Sequence, residues 1–202
     1  MFIYLNALFV GLLLLSNILA VKLFQIGEFI LPGAAIVYVV TYLLTDVIGE
    51  VYGKNTARKT VQAGFITQLF AVFFIFIVVH LPAAPAFGLQ SEFEQILGGS
   101  FRVIAASLLS YIASQHLDVS IFHRLRASHG EKKLWIRNNV STMTSQLIDT
   151  SLFITIAFWG IVPLRVLLGM IVTQYIFKLI IAIIDTPFAY LLVKWARKLE
   201  AK

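Results

Sequence analysis

Residues Thr60–Ser91 read TVQAGFITQLFAVFFIFIVVHLPAAPAFGLQS and contain no Asp, Glu, Lys or Arg. A helix that crosses a bilayer takes about 20 predominantly apolar residues, so this stretch supplies one span with residues to spare for a loop. Pro82, Pro85 and Gly88 break the chain where that loop begins. Met1–Val21, MFIYLNALFVGLLLLSNILAV, is equally free of charge and supplies a second span. It imitates a secretory signal in length but lacks a basic start and a cleavage context, which predicts an uncleaved helix. Outward from these two, Phe29–Thr45 stays charge-free until Asp46, and further apolar stretches lie at Phe101–Phe122, Ile136–Phe158 and Leu164–Val193. Pro32 and Pro163 stand where helices would begin, a position that suits a residue without an N–H.

The expectation is an all-α, polytopic membrane protein. Its six transmembrane helices run at about 2–24, 30–52, 58–81, 98–122, 136–158 and 164–195, in a single transmembrane domain over 1–202. Composition agrees: the chain is 59% hydrophobic and 13% charged with a mean hydropathy of +0.89, and six spans leave no room for a soluble domain. Twelve of its basic residues fall in the second loop (Lys54, Arg58, Lys59), the fourth loop (Arg124, Arg126, Lys132, Lys133, Arg137) and the tail (Lys194, Arg197, Lys198, Lys202). The opposite side holds Lys22, Arg102 and Arg165, so the positive-inside rule puts both termini in the cytoplasm. The pI near 9.7 is thereby a topology signal, and nucleic acid is not an expected partner.

Charge at membrane depth costs a few kcal/mol, on the order of 2.5–3.5 on insertion scales, so ionisable groups within spans point to function. Lys22, Asp46, Glu50, Asp118, Asp149, Lys178 and Asp185 are such groups. On the fifth helix Thr142, Gln146 and Asp149 recur at helical spacing and form one polar face. The fourth helix has a matching stripe of Ser107, Tyr111, Ser114 or Gln115, and Asp118; the sixth has Gln174, Lys178 and Asp185. Asn17 on the first helix and Tyr38, Tyr42 and Asp46 on the second complete the polar set, and together these faces predict a common interior. Ser107, Ser114 and Thr142 read as packing hydrogen bonds, whereas Asp149 with Gln146 and Lys178 reads as a ligand or ion pathway. An ion pair of Lys178 with Asp149 or Asp185 fits either role. Asp46 and Glu50 sit one turn apart near the inner surface, where Lys54 or Arg58 could answer them. Lys22 is expected to snorkel outward. Pro187 predicts a kink beside Asp185.

Other chemistries lack their motifs. Gly49–Thr56 reads GEVYGKNT, which misses the Walker A spacing and its terminal Ser or Thr. Zero cysteines exclude disulfides and thiolate chemistry, and His80, His116, His123 and His129 have no metal-ligand spacing. No cofactor is expected.

Five segments carry a resemblance: SNILAVKLF (Ser16–Phe24), YLLTDVIGEVYG (Tyr42–Gly53), SYIASQHLDVSIFHRLR (Ser110–Arg126), WIRNNVSTMTSQLIDTSLFITIAFWG (Trp135–Gly160) and KLIIAIIDTPFAYL (Lys178–Leu191). Together they closely resemble the queuosine precursor transporters of the vitamin uptake transporter family. The resemblance implies a bacterial inner-membrane importer of 7-cyano-7-deazaguanine and of its aminomethyl relative, with a fold like the substrate-binding components of energy-coupling factor transporters. It also implies lipid surroundings and a deazapurine as small-molecule partner, with a homo-oligomer or an energising module of the energy-coupling factor type as protein partner. A deazaguanine offers N–H donors on its pyrimidine edge and one carbonyl acceptor, which a carboxylate and an amide or ammonium can answer. Asp149 or Asp118 suits the donor edge, Gln146, Gln115, Asn17 or Lys178 the acceptor, and Tyr42 or Phe122 the ring, with Asp46 and Asp185 as further candidates. The rival readings are a carrier for another nucleobase or vitamin and, from another class, an intramembrane enzyme using paired carboxylates.

Overall fold

The structure is a computed structural model that describes residues 1–129 and 134–200. Its elements in chain order are α1 (Phe2–Leu19), β1 (Leu23–Ile26), β2 (Phe29–Pro32), α2 (Ala34–Tyr52), α3 (Lys54–His80), α4 (Gln90–His129), α5 (Leu134–Phe158) and α6 (Leu164–Glu200). Among the described residues five segments are long and apolar enough to cross a membrane: Phe2–Leu19, Ala34–Tyr52, Asn55–His80, Gln90–Ser114 and Leu164–Ile181. In α5 only Met143–Phe158 is apolar, because Asn138, Asn139, Ser141 and Thr142 occupy its first turns. The chain is a multi-pass membrane protein built almost wholly of helix.

The chain divides into two compact units, Met1–Ile104 with the chain from Ile176 onward, and Ala105–Tyr175. In the first unit α1 packs on α2 and α3. Phe9 and Leu13 of α1 meet Leu44 of α2 in a buried cluster that Val61 of α3 joins from the side. A second cluster joins Val47 to Val193 and Ala196 of α6, with Met1 against it. Phe2 packs on Tyr52 with ring centroids 5.3 Å apart. The start of α1, the end of α2 and the end of α6 therefore gather at one end of this unit. On α3, Ile66, Leu69, Phe70, Phe73, Phe74 and Ile77 are exposed, an apolar surface that hydrocarbon can cover.

Gly64 sets how closely α1 and α3 approach. A Cβ there would stand 2.7 Å from Leu13 Cδ2 and 3.2 Å from Phe9 Cε1, so any larger side chain requires these two side chains or the helices to shift.

The first connection departs from the sequence expectation. The first helix ends at Leu19 and the second begins at Ala34, and the intervening residues form an antiparallel hairpin with Ile26 opposite Phe29 and Leu23 opposite Pro32. Gly27, at φ 60°, opens its two-residue turn, a position glycine adopts without steric penalty. The Gln25 amide donates to the Gly27 carbonyl at 2.6 Å. The Gly33 N–H donates to the Lys22 carbonyl at 2.7 Å and closes the base of the hairpin. A short apolar run bounded by glycines is equally compatible with strand and with buried helix, and here the turn decides. Other boundaries are wider than expected. The fourth helix starts at Gln90 and reaches His129, and the sixth continues through Pro187 to Glu200 as one helix.

In the second unit α4 supplies the buried Ala106, α5 Ile154, Ala157 and Phe158, and the start of α6 Leu167 and Met170. Tyr175 Oη donates to the Met143 carbonyl at 3.3 Å, a tie between α6 and α5.

Candidate functional site

In the second unit the predicted stripes of α4 and α5 meet. Ser114 is buried, and its hydroxyl lies 3.0 Å from the Tyr111 carbonyl and 3.5 Å from Asp149 Oδ1. Asp149 and Gln146 are both half-buried, one turn apart on α5. Thr150 next to them is fully buried and donates to the Gln146 carbonyl at 2.8 Å, a back-bond within the helix that leaves it no role toward a ligand. Gln174 of α6, on the stripe predicted for that helix, is 2% exposed and its Oε1 has no hydrogen-bond partner. The side chains of Gln115, Asp118, Asp185, Phe122 and Thr142 lie outside the described residues.

The first unit holds the remaining candidates. Tyr42 is half-buried and stacks on Tyr38, with ring centroids 6.0 Å apart and 28° between planes. Asp46 is exposed and Lys178 is half-buried. Glu50 lies 3.7 Å from Arg197 of α6, a partner from the far end of the chain.

Asn17 is fully buried, and its amide Nδ2 donates to the Leu13 carbonyl one turn earlier at 3.3 Å. Gln68 of α3 is also fully buried, and its Nε2 donates to the same carbonyl at 3.3 Å. The Ser16 hydroxyl reaches that oxygen too, at 2.8 Å. Both amide oxygens, Asn17 Oδ1 and Gln68 Oε1, have no hydrogen-bond partner. A buried polar atom left so costs about 1–3 kcal/mol. The amides are oriented by chemistry, since only an NH2 group can face a carbonyl oxygen. In Asn17 the atom left without a partner among the described residues is the oxygen, an acceptor, while its NH2 keeps a second N–H.

Gln68 is the residue that the sequence reading passed over. Its signal was a carboxamide in the middle of a span otherwise judged only by its freedom from charge.

Two cavities lie within the first unit. One of about 650 Å³ is almost wholly apolar, between α1, α2 and the end of α6, with Tyr4, Leu44 and Trp195 in its wall. The other, of about 580 Å³, lies between the end of α3 and the start of α4 and is bordered by His80, Gln90 and Glu94. Of the candidates whose side chains are described, Asn17, Tyr42, Asp46, Gln146, Asp149 and Lys178, none lines either one.

Residues 32–192 match the family described as "Putative vitamin uptake transporter". The chain belongs to the vitamin uptake transporter family. Its similarity extends to individual members. A "Probable queuosine precursor transporter" of Bacillus subtilis (strain 168) is 35% identical over 176 residues, which cover 87% of this chain and 77% of that protein. The "Queuosine precursor transporter" of Escherichia coli (strain K12) is 30% identical over 118 residues, 58% of this chain and 51% of that protein. A "Probable queuosine precursor transporter" of Haemophilus influenzae is 29% identical over 154 residues, 74% of this chain and 62% of that protein. No solved structure matches the chain. As a vitamin uptake transporter family member the chain is a transporter and not an enzyme.

Proposed function

We propose that this vitamin uptake transporter imports a queuosine precursor, 7-cyano-7-deazaguanine and by extension 7-aminomethyl-7-deazaguanine, across the bacterial inner membrane. The observation that carries the reading is the 35% identity to the Bacillus subtilis transporter over most of both chains. The polar groups within the spans are consistent with a flat, polar-edged base: buried carboxamides and a half-buried carboxylate. The substrate contacts in this reading come from Asn17, Tyr42, Asp46, Gln115, Asp118, Gln146, Asp149, Lys178 and Asp185.

The architecture that accompanies the function is a single domain of six spans, with α5 as the sixth, and a fold like the substrate-binding components of energy-coupling factor transporters. Both termini lie in the cytoplasm. The gathering of Met1, Tyr52 and Ala196 at one end of the first unit supports this, since that end also carries Arg58, Lys59, Lys194 and Lys198.

The test is uptake of labelled 7-cyano-7-deazaguanine at low external concentration by bacterial cells unable to make it. Protein-dependent accumulation that disappears in well-expressed Asp149→Asn is the expected result. No accumulation with well-expressed wild-type protein removes this cargo, and normal uptake by the variant removes Asp149 from the site.

A further inference from the structure

Among the described residues of α3, Thr60 and Gln68 each hold a buried side-chain oxygen without a hydrogen-bond partner, and of the two only Gln68 is a carboxamide in the middle of the span. Its side chain is fully buried, one N–H of its NH2 group donates to the Leu13 carbonyl, and its oxygen faces no donor among the described residues. Asn17, from α1, repeats all three properties on the same carbonyl. That carbonyl is oversubscribed, since it also meets the Ser16 hydroxyl and bears the hydrogen bond of its own helix. Two acceptors without donors thus flank one acceptor with too many. In water such oxygens would be solvated, but hydrocarbon offers nothing in exchange. A pair of amides used only to fasten α1 to α3 would need one donor between them, not two donors and two idle oxygens.

We propose that Gln68, together with Asn17, is a specificity-determining element of the transport site, with Gln68 Oε1 accepting the exocyclic amino group of the base and Asn17 Oδ1 its N1–H. The inference rests on the deazaguanine reading and assigns a residue and a chemical role within it. Two adjacent N–H donors on one edge of the ligand meet two acceptors that the protein leaves unmatched. The crowded Leu13 carbonyl keeps partners when either amide turns toward the ligand, so recognition does not strand it. Full burial in this conformation means that α1 and α3 must part to admit the base, as moving helices do in alternating-access carriers.

The experiment measures binding of 7-cyano-7-deazaguanine to the purified protein in proteoliposomes, in competition with the analogue that lacks the 2-amino group. Wild-type protein, Gln68→Leu and Gln68→Glu are compared. The wild type is expected to prefer the parent base by about tenfold or more, the worth of one lost hydrogen bond in a buried site. Gln68→Leu is expected to lose that preference while still binding the analogue as the wild type does. Gln68→Glu keeps an acceptor in either ionisation state and is expected to restore the preference. A residue that only fastened two helices would behave otherwise. Its leucine variant would weaken both ligands alike, and its glutamate variant would not recover selectivity; either result overturns the inference and leaves the cargo standing. Wild-type protein that binds neither base overturns the cargo reading and this one together.

Discussion

The Ser114 hydroxyl has one proton and two acceptors within reach, the Tyr111 carbonyl at 3.0 Å and Asp149 Oδ1 at 3.5 Å. The shorter, intrahelical bond takes it, because hydrogen bonds weaken steeply with distance. Ser114→Ala is therefore expected to leave uptake within about twofold of wild type, while Asp149→Asn abolishes it. Parallel uptake assays with matched expression check the contrast, and an equal loss in both would make the pair a unit. The Glu50–Arg197 pair is a second case in which proximity promises more than it delivers. Both side chains are mostly exposed, at 71% and 62%, where solvent and salt screen the attraction. Arg197→Gln is expected to shift the unfolding free energy by less than about 0.5 kcal/mol, read by thermal denaturation in detergent. At this scale the sequence shows which residues are out of place in a membrane. It does not show how each is partnered: that Asn17 and Gln68 both donate to the Leu13 carbonyl is a property of the folded helices.

At the scale of elements, the contact of α1 with α3 turns on one missing side chain. Gly64→Ala places a methyl against the mobile end of Leu13 and gains helix propensity, so the two effects nearly offset. Gly64→Leu has no such room and is expected to destabilise the protein by about 1–3 kcal/mol, with a lowered melting temperature as the readout. A melting point equal to that of wild type would show that α1 and α3 are not held this closely in the membrane. The hairpin of Leu23–Ile26 and Phe29–Pro32 shows what periodicity could not settle. Leu23 to Pro32 is apolar enough to extend either neighbouring helix, and its strand form depends on a glycine turn and on the Gly33–Lys22 bond, which are properties of the folded backbone. Helices α1, α2 and α3 were legible because long charge-free runs admit few alternatives, whereas α5, with its polar first half, was legible as a helix but not as a sure span.

For the whole molecule the decisive question is which end faces the cytoplasm. The chain has no cysteine, so single cysteines report without background. Glu28→Cys, in the hairpin turn, is expected to react with an impermeant maleimide in intact cells, and Lys198→Cys, near the end of α6, only after the membrane is opened. Labelling of both from one side would overturn the proposed topology. The sequence by itself determined that the chain lives in a membrane, that it is helical, where most of its spans fall, and which ionisable groups are out of place there. Those properties follow from composition and from transfer energies that act residue by residue. Tertiary structure alone decided that Met1 packs beside Ala196, that Gly64 admits Leu13 and Phe9, and that two carboxamides 51 positions apart share one carbonyl and leave their oxygens idle. Each of these joins residues far apart in sequence, and no local pattern encodes which helix face meets which.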